Sequence, residues 1–431
     1  MAKIRKVTVA KVLLWGREIG AVAWDIDREL STFEYTSEFL NDTIEISPIK
    51  MERKPQLFSF PELNKKTFYG LPGMLADSLP DRFGNVLINA WLARHNRPEN
   101  DFSPVERLCY IGSRGMGALE YKPALRREEI KSVPIKIEDM IRLAQQVLDN
   151  RMDLLVNLEE KDKAIETIIR IGTSAGGARA KAIIAWNRDT HEVRSGQVLP
   201  PPGFEPWIMK FDGVNDQQLG NAQGFGRIEY SYYQMAQKAD IQIMECALFE
   251  ENGRAHFLTK RFDRDSHGGK IHMQSLCAIA HYDFNMAGAF GYEQALNVIH
   301  QLHLGYKPLE EMYRRMIFNI VARNQDDHTK NIAFLMERHG KWRLSPAFDV
   351  IWAYNSTGPW TNQHQMTVNG KRDNFTIDDL LEPAKQFGIK NANKIIQDVI
   401  TAVKEWPMIA EINKVPESMI EKITKTHRLN F

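Results

Sequence analysis

The chain has 431 residues, 43% of them hydrophobic, which is enough for two or three packed domains and too much for a disordered polymer. Lys plus Arg number 56 against 55 Asp plus Glu, a formal charge of +1, which excludes a polycation that coats nucleic acid through charge alone. Cys109, Cys246 and Cys277 lie far apart, odd in number and with no C-x-x-C spacing, so neither a disulfide framework nor a zinc site is indicated, which fits a reducing cytoplasm.

The N-terminal run "MAKIRKVTVAKVLLWGREIG" is broken by Lys11 and Arg17 and lacks a small-residue cleavage site, so no signal peptide is expected. No window reaches the ~18 consecutive apolar residues of a membrane span. The expected location is the cytoplasm, with no membrane partner.

From Lys6 to Thr36, "VTVAKVLLW", "EIGAVAWDI" and "STFEYT" read as a small antiparallel sheet. "FYGLPGMLADSLPDRFGNVLINAWLARHN" then has helical spacing, with Asp77 or Ser78 as caps and Pro80 near a helix start. These segments predict a compact subdomain over residues 1–124. A charged connector and a helical stretch follow, ending in the glycine turn of "SAGGARAK" and the strand "AIIAW". "HEVRSGQVLPPPGFEP" is a loop by its three prolines, and the strand "WIMKF" leaves it directly. A helix is expected over 227–239, and "HFLTKRFDR" reads as another strand. The part beyond residue 270 is expected to be helical, with Trp342 to Leu344 as the main β exception. The predicted class is α+β: residues 1–124 as a β-rich subdomain, 125–270 as a mixed lobe, and 271–431 as an all-α lobe.

Three glycine-rich strings compete as phosphate cradles, at 112–117, 174–181 and 220–226. None is a P-loop or a full G-x-G-x-x-G, and each alone also fits a turn. The middle string has the best context. Ser174, Ala175, Gly176, Gly177 and Ala178 lead into Arg179 and Lys181, so backbone N–H groups and cations would converge on one anion. In "WIMKFD", period two puts Lys210 on the face opposite Trp207, Met209 and Phe211. A lysine in a short apolar strand either snorkels to water or finds an anion, and Glu229, 19 residues on, could orient it toward phosphates.

The densest polar run is "RNQDDHTKNIAFL" at 323–335. The preceding segment places Met312, Met316 and Ile320 at i, i+4 and i+8, so a buried helix should deliver Asp326 to its end. Asp326 and Asn331 stand five positions apart, the interval of the protein-kinase H-R-D-x-x-x-x-N loop, where the Asp handles the hydroxyl proton and the Asn holds magnesium. A strand, a turn and a strand then lead to Asp349, which fits either a helix N-cap or a second magnesium ligand. One Asn and one Asp suffice for magnesium when ATP supplies further oxygens. His328 and Lys330 are secondary candidates for orienting groups or a phosphate contact.

Together, "SLPDRFGN", "IGSRGMGALEY", "SAGGARAK", "IMKF", "KRFDR", "DDHTKN" and "SPAFDVI" resemble, in order and over nearly the whole chain, the HipA toxins. These are protein-kinase-like Ser/Thr kinases of bacterial type II toxin-antitoxin systems. The resemblance implies a two-lobed kinase core that uses ATP and Mg2+. It implies Asp326 as catalytic aspartate, Asn331 and Asp349 on magnesium, Lys210 on phosphates, and the segment Lys260, Arg261, Phe262 at the adenine hinge. It further implies Ser174 as a self-phosphorylation site that inactivates the enzyme. A HipB-like DNA-binding antitoxin is the implied partner, with DNA reached only through it, and a translation component such as glutamyl-tRNA synthetase the implied substrate. The chain departs from the family where "ARAK" replaces a common A-Q-E-K and Lys260 replaces a common Glu. Two rival readings remain: a non-catalytic pseudokinase serving as corepressor, and a lipid or small-molecule kinase, since D-x-H-x-x-N also occurs in lipid kinases.

Overall fold

The structure, a computed structural model, describes residues 6–80, 82–125, 132–141, 144, 180–213 and 224–431. Among the described residues the fold is mixed α+β, with three antiparallel sheets and a helical C-terminal part.

The first sheet has the order β3-β2-β1-β4, from β1 (Val9–Leu14), β2 (Arg17–Asp25), β3 (Leu30–Tyr35) and β4 (Leu119–Lys122). β1 and β2 are joined by Trp15 and Gly16, both at positive φ (50° and 81°), the backbone twist that two-residue hairpins require. β4 was not anticipated, because "LEYK" is short and gains strand character only by pairing with β1. Helix α1 (Arg82–Arg94) and helix α2 (Pro104–Ile111) lie between β3 and β4. Asp77 ends the short helix Gly73–Ala76 rather than starting the next one, and the side chains of Asp77 and Ser78 serve tertiary contacts. Asp77 accepts from Ser275 N at 2.7 Å and Ser275 Oγ at 2.8 Å, while Tyr121 OH lies 2.7 Å from Ser78 Oγ.

The second sheet runs β6-β5-β7-β9-β8: β5 (Lys181–Trp186), β6 (Val193–Ser195), β7 (Glu205–Lys210), β8 (Cys246–Glu251) and β9 (Arg254–Lys260). All of β5 is buried, and Ile184, Trp186, Trp207, Met209, Phe211 and Leu258 form the core on one face. Helix α3 (Phe225–Lys238) connects β7 to β8. It packs closely because Gly226 has no side chain: a Cβ there would stand 2.1 Å from Ala255 O.

The C-terminal part holds α4 (Tyr292–Gln301), α5 (Tyr306–Val321), α6 (Ile377–Gln386), α7 (Ala392–Lys404), α8 (Trp406–Ile412) and α9 (Glu417–Thr424). It is not all-α as expected. β10 (His272–Ser275), β11 (Ala333–Met336) and β12 (Trp342–Leu344) form a third sheet. β10 gains its partner only from β11, about sixty positions on, so local pattern could not reveal it. α5 is buried along Met312, Met316 and Ile320, as the spacing predicted. A single apolar core joins the first sheet to the C-terminal helices, through residues such as Phe33, Leu75, Leu276 and Ile299.

Candidate active site

Alternation along β7 sends Trp207 and Met209 into the core and turns Lys210 to the opposite face. Its ammonium stands 2.5 Å from Glu229 Oε1 on α3 and 2.5 Å from Asp349 Oδ1. Lys210 is 7% exposed and Glu229 1%, so these charge-assisted bonds operate largely out of water. Lys181 sits directly across the ladder from Lys210 and is also buried. Two cations thus stand side by side, and one of them is the last residue of the glycine-rich string at 174–181.

Asp349 is not a helix cap, because no helix follows it. Its φ is +52°, a conformation that costs a non-glycine residue strain and tends to occur at functional sites. Phe348 beside it packs on Phe262, with ring centroids 5.1 Å apart. Burial works to raise the Asp349 pKa, but Lys210 and then Lys181 hold it down at about 2.

Asp326 follows α5 and keeps 41% of its side chain exposed. Trp360 Nε1 donates to its Oδ1 at 2.6 Å, and His328 Nε2 lies 3.8 Å from that same oxygen. Burial pushes the Asp326 pKa above the ordinary carboxylate value. His328 and the Trp360 N–H oppose that rise, while Asp349 and Asp327 reinforce it. Asn331 donates its amide to Asp326 O at 2.8 Å, which closes the loop and leaves Asn331 Oδ1 as the side chain's acceptor. Asn331, His328 and Asp349 line one small cavity between the loop and the Phe348–Asp349 turn.

Residues 173–406 match the HipA-like C-terminal domain and residues 10–122 the HipA N-terminal domain. The chain belongs to the HipA family. A Haemophilus influenzae protein described as "Putative kinase" is 25% identical to it over 291 residues, covering 56% of this chain and 82% of that protein. HipA of Shewanella oneidensis MR-1, solved with HipB and operator DNA, is similar at a TM-score of 0.67 and 15% identity, over 96% of this chain and 94% of that one. At that identity the likeness shows a shared HipA fold.

In this HipA-family chain the structure brings Lys181, Lys210, Glu229, Asp326, His328, Asn331 and Asp349 into one neighbourhood. Other predicted residues make separate contacts. Lys330 holds its ammonium 4.9 Å from the Phe284 ring centroid, and that ring stands 5.3 Å from the His328 ring. Lys260 pairs with Glu205 and, at 3.4 Å, with Glu245. The Arg261 guanidinium bonds Asp263 at 2.9 and 2.7 Å, and its N–H is engaged by Pro206 O at 3.0 Å. Ser174, Ala175, Gly176, Gly177, Ala178 and Arg179 lie outside the described residues.

The structure also shows residues that sequence reasoning missed. Buried Asp327 accepts from Tyr292 OH at 2.9 Å and Gln365 N at 2.7 Å, with His364 Nδ1 at 2.8 Å. It anchors the loop that carries its neighbour Asp326. Buried Asp263 binds Arg261, Arg264 and, at 2.8 Å, Gly117 N. The glycine string at 112–117 is therefore no phosphate cradle: it docks the first subdomain on the segment after β9. For Trp360 the sequence carries no signal beyond a lone aromatic in a polar loop.

Proposed function

We propose that the chain is an ATP- and Mg2+-dependent Ser/Thr protein kinase of HipA toxin type, with residues 125–270 and 271–431 as the two lobes of a kinase-like core. The observation that carries this reading is Lys210, held by Glu229 and Asp349 at 2.5 Å each. One buried cation joins the five-stranded sheet, α3 and the turn opposite Asp326, as phosphoryl transfer requires.

The residues present fit both cofactors. Asp349 offers a carboxylate kept ionised by two lysines, and Asn331 an amide oxygen. Oxygen donors of this kind suit magnesium when phosphates and water complete its shell. When bound, Mg2+ supplies charge neutralisation on the transferring phosphate. Lys210 and Lys181 would bind phosphate oxygens, and Asp326 would receive the acceptor's hydroxyl proton. Adenine would lie against the segment after β9. Because the Arg261 N–H is engaged, the peptide groups of Phe262 are the ones to meet it.

A HipB-like antitoxin is the proposed partner, supported by the Shewanella relative solved with HipB and operator DNA. Self-phosphorylation at Ser174 is the proposed off-switch, since a phosphate there would repel those of ATP. A translation protein is the proposed target, with glutamyl-tRNA synthetase the first acceptor to try. Calorimetric titration with ATP and magnesium tests the site. Wild type should bind, Lys210→Met should lose most of the affinity, and Asp349→Asn should lose the part that depends on magnesium. Equal affinity in all three chains would remove the assignment.

A further inference from the structure

Both neighbours of the Asp326 carboxylate approach one oxygen. Trp360 Nε1 lies 2.6 Å from Oδ1 and His328 Nε2 3.8 Å from it. No hydrogen bond among the described residues falls on Oδ2, and the side chain stays 41% exposed. The indole belongs to an otherwise outward-facing loop in which Asn355, Ser356, Thr357, Pro359, Asn362 and Gln363 are exposed.

The loop is nonetheless pinned at Trp360. The buried Gln365 amide donates to Trp360 O, while Gln365 N donates to Asp327 Oδ1 at 2.7 Å. The segment that presents the indole is thus tied to the residue next to Asp326.

We propose that Trp360 is a positioning residue: its N–H fixes Asp326 through Oδ1 so that Oδ2 faces the acceptor hydroxyl, and its loop forms the acceptor's side of the cleft. The inference rests on the phosphoryl-transfer reading. An indole N–H has no lone pair to offer a hydroxyl and cannot take its proton. It can hold one oxygen still, which lets a weakly basic carboxylate act at a defined place.

The test compares wild type, Trp360→Phe and Trp360→His, each with Asp326 or Asp326→Asn. Label transfer from γ-labelled ATP is read on the chain itself and on dephosphorylated casein, and nucleotide affinity is measured beside it. The expected result is a loss of about 10- to 100-fold in transfer rate for Trp360→Phe, with ATP affinity unchanged and partial recovery in Trp360→His. Phe should have no further effect in the Asp326→Asn background, because the indole acts through that carboxylate. Parallel loss of nucleotide binding, or an equal loss in both backgrounds, would mean a merely structural tryptophan and overturn the proposal.

A second readout needs no catalysis. The Trp360 indole resonance, identified by its absence from 15N spectra of Trp360→Phe, should shift when Asp326 becomes Asn. If it does not shift, the contact itself is refuted. If Asp326→Asn shifts the resonance but the wild type transfers no phosphate, the kinase reading is overturned instead, and the positioning role with it.

Discussion

Replacing Lys210 by Met removes the one cation that Glu229 and Asp349 both hold at 2.5 Å. Breaking a buried ion pair from one side costs about 3–5 kcal/mol. Lys181 remains beside Asp349 and softens this, so the expected loss is about 2–4 kcal/mol. The assay is urea unfolding followed by tryptophan fluorescence, without nucleotide or magnesium. Adding Glu229→Gln should recover part of the loss, because it removes one of the stranded charges. The pH dependence carries a sign. Asp349 is held from the ordinary 3.8 down to about 2 in the folded chain, so its stabilisation is complete above pH ~4 and lost as pH falls toward ~2, roughly 2 kcal/mol in all. In Lys210→Met burial has less opposition, the folded pKa rises, and that acid-side loss should shrink or reverse. A single mutant within 1 kcal/mol of wild type, or no recovery in the double mutant, would refute the reasoning.

Asp263→Ala should cost about 3–5 kcal/mol by stranding two buried guanidinium groups, and limited proteolysis should then cut near Gly115 to Gly117, which the wild type protects. Gly226→Ala needs α3 to move away from Ala255 O, so it should destabilise by at least ~1–3 kcal/mol and weaken ATP binding by displacing Glu229; retained affinity would refute the coupling. Asp327→Ala leaves Tyr292, His364 and Gln365 without their shared acceptor. It should lower the melting temperature and phosphoryl transfer together, and a change in transfer with no change in melting would show that Asp327 acts chemically instead.

The parts of the site governed by local pattern were legible in the sequence. Period two placed Lys210 away from the core, helical spacing buried α5 under Asp326, and the strand pair before Asp349 emerged as β11 and β12. Lys210 and Glu229 could be matched because strand and helix are consecutive elements. The missed features depend on distant pairing. Gly117 meets Asp263, Asp77 meets Ser275, and β10 becomes a strand only beside β11. Lys181 was legible as a phosphate cation, but its place directly beside Lys210 was not, because that arises from cross-strand register. Trp360 was invisible for a simpler reason: nothing in "NSTGPWTNQ" distinguishes an indole that reaches Asp326 from one that meets water.

Phosphoryl transfer carried by Asp326 is tested most directly by incubating the purified chain with magnesium and γ-labelled ATP beside an Asp326→Ala variant, with mass spectrometry of the Ser174 peptide. Phosphate is expected on Ser174 in the wild type and not in the variant. ATP bound by both proteins with no phosphate on any residue or added protein acceptor, or equal labelling of the two, would contradict it.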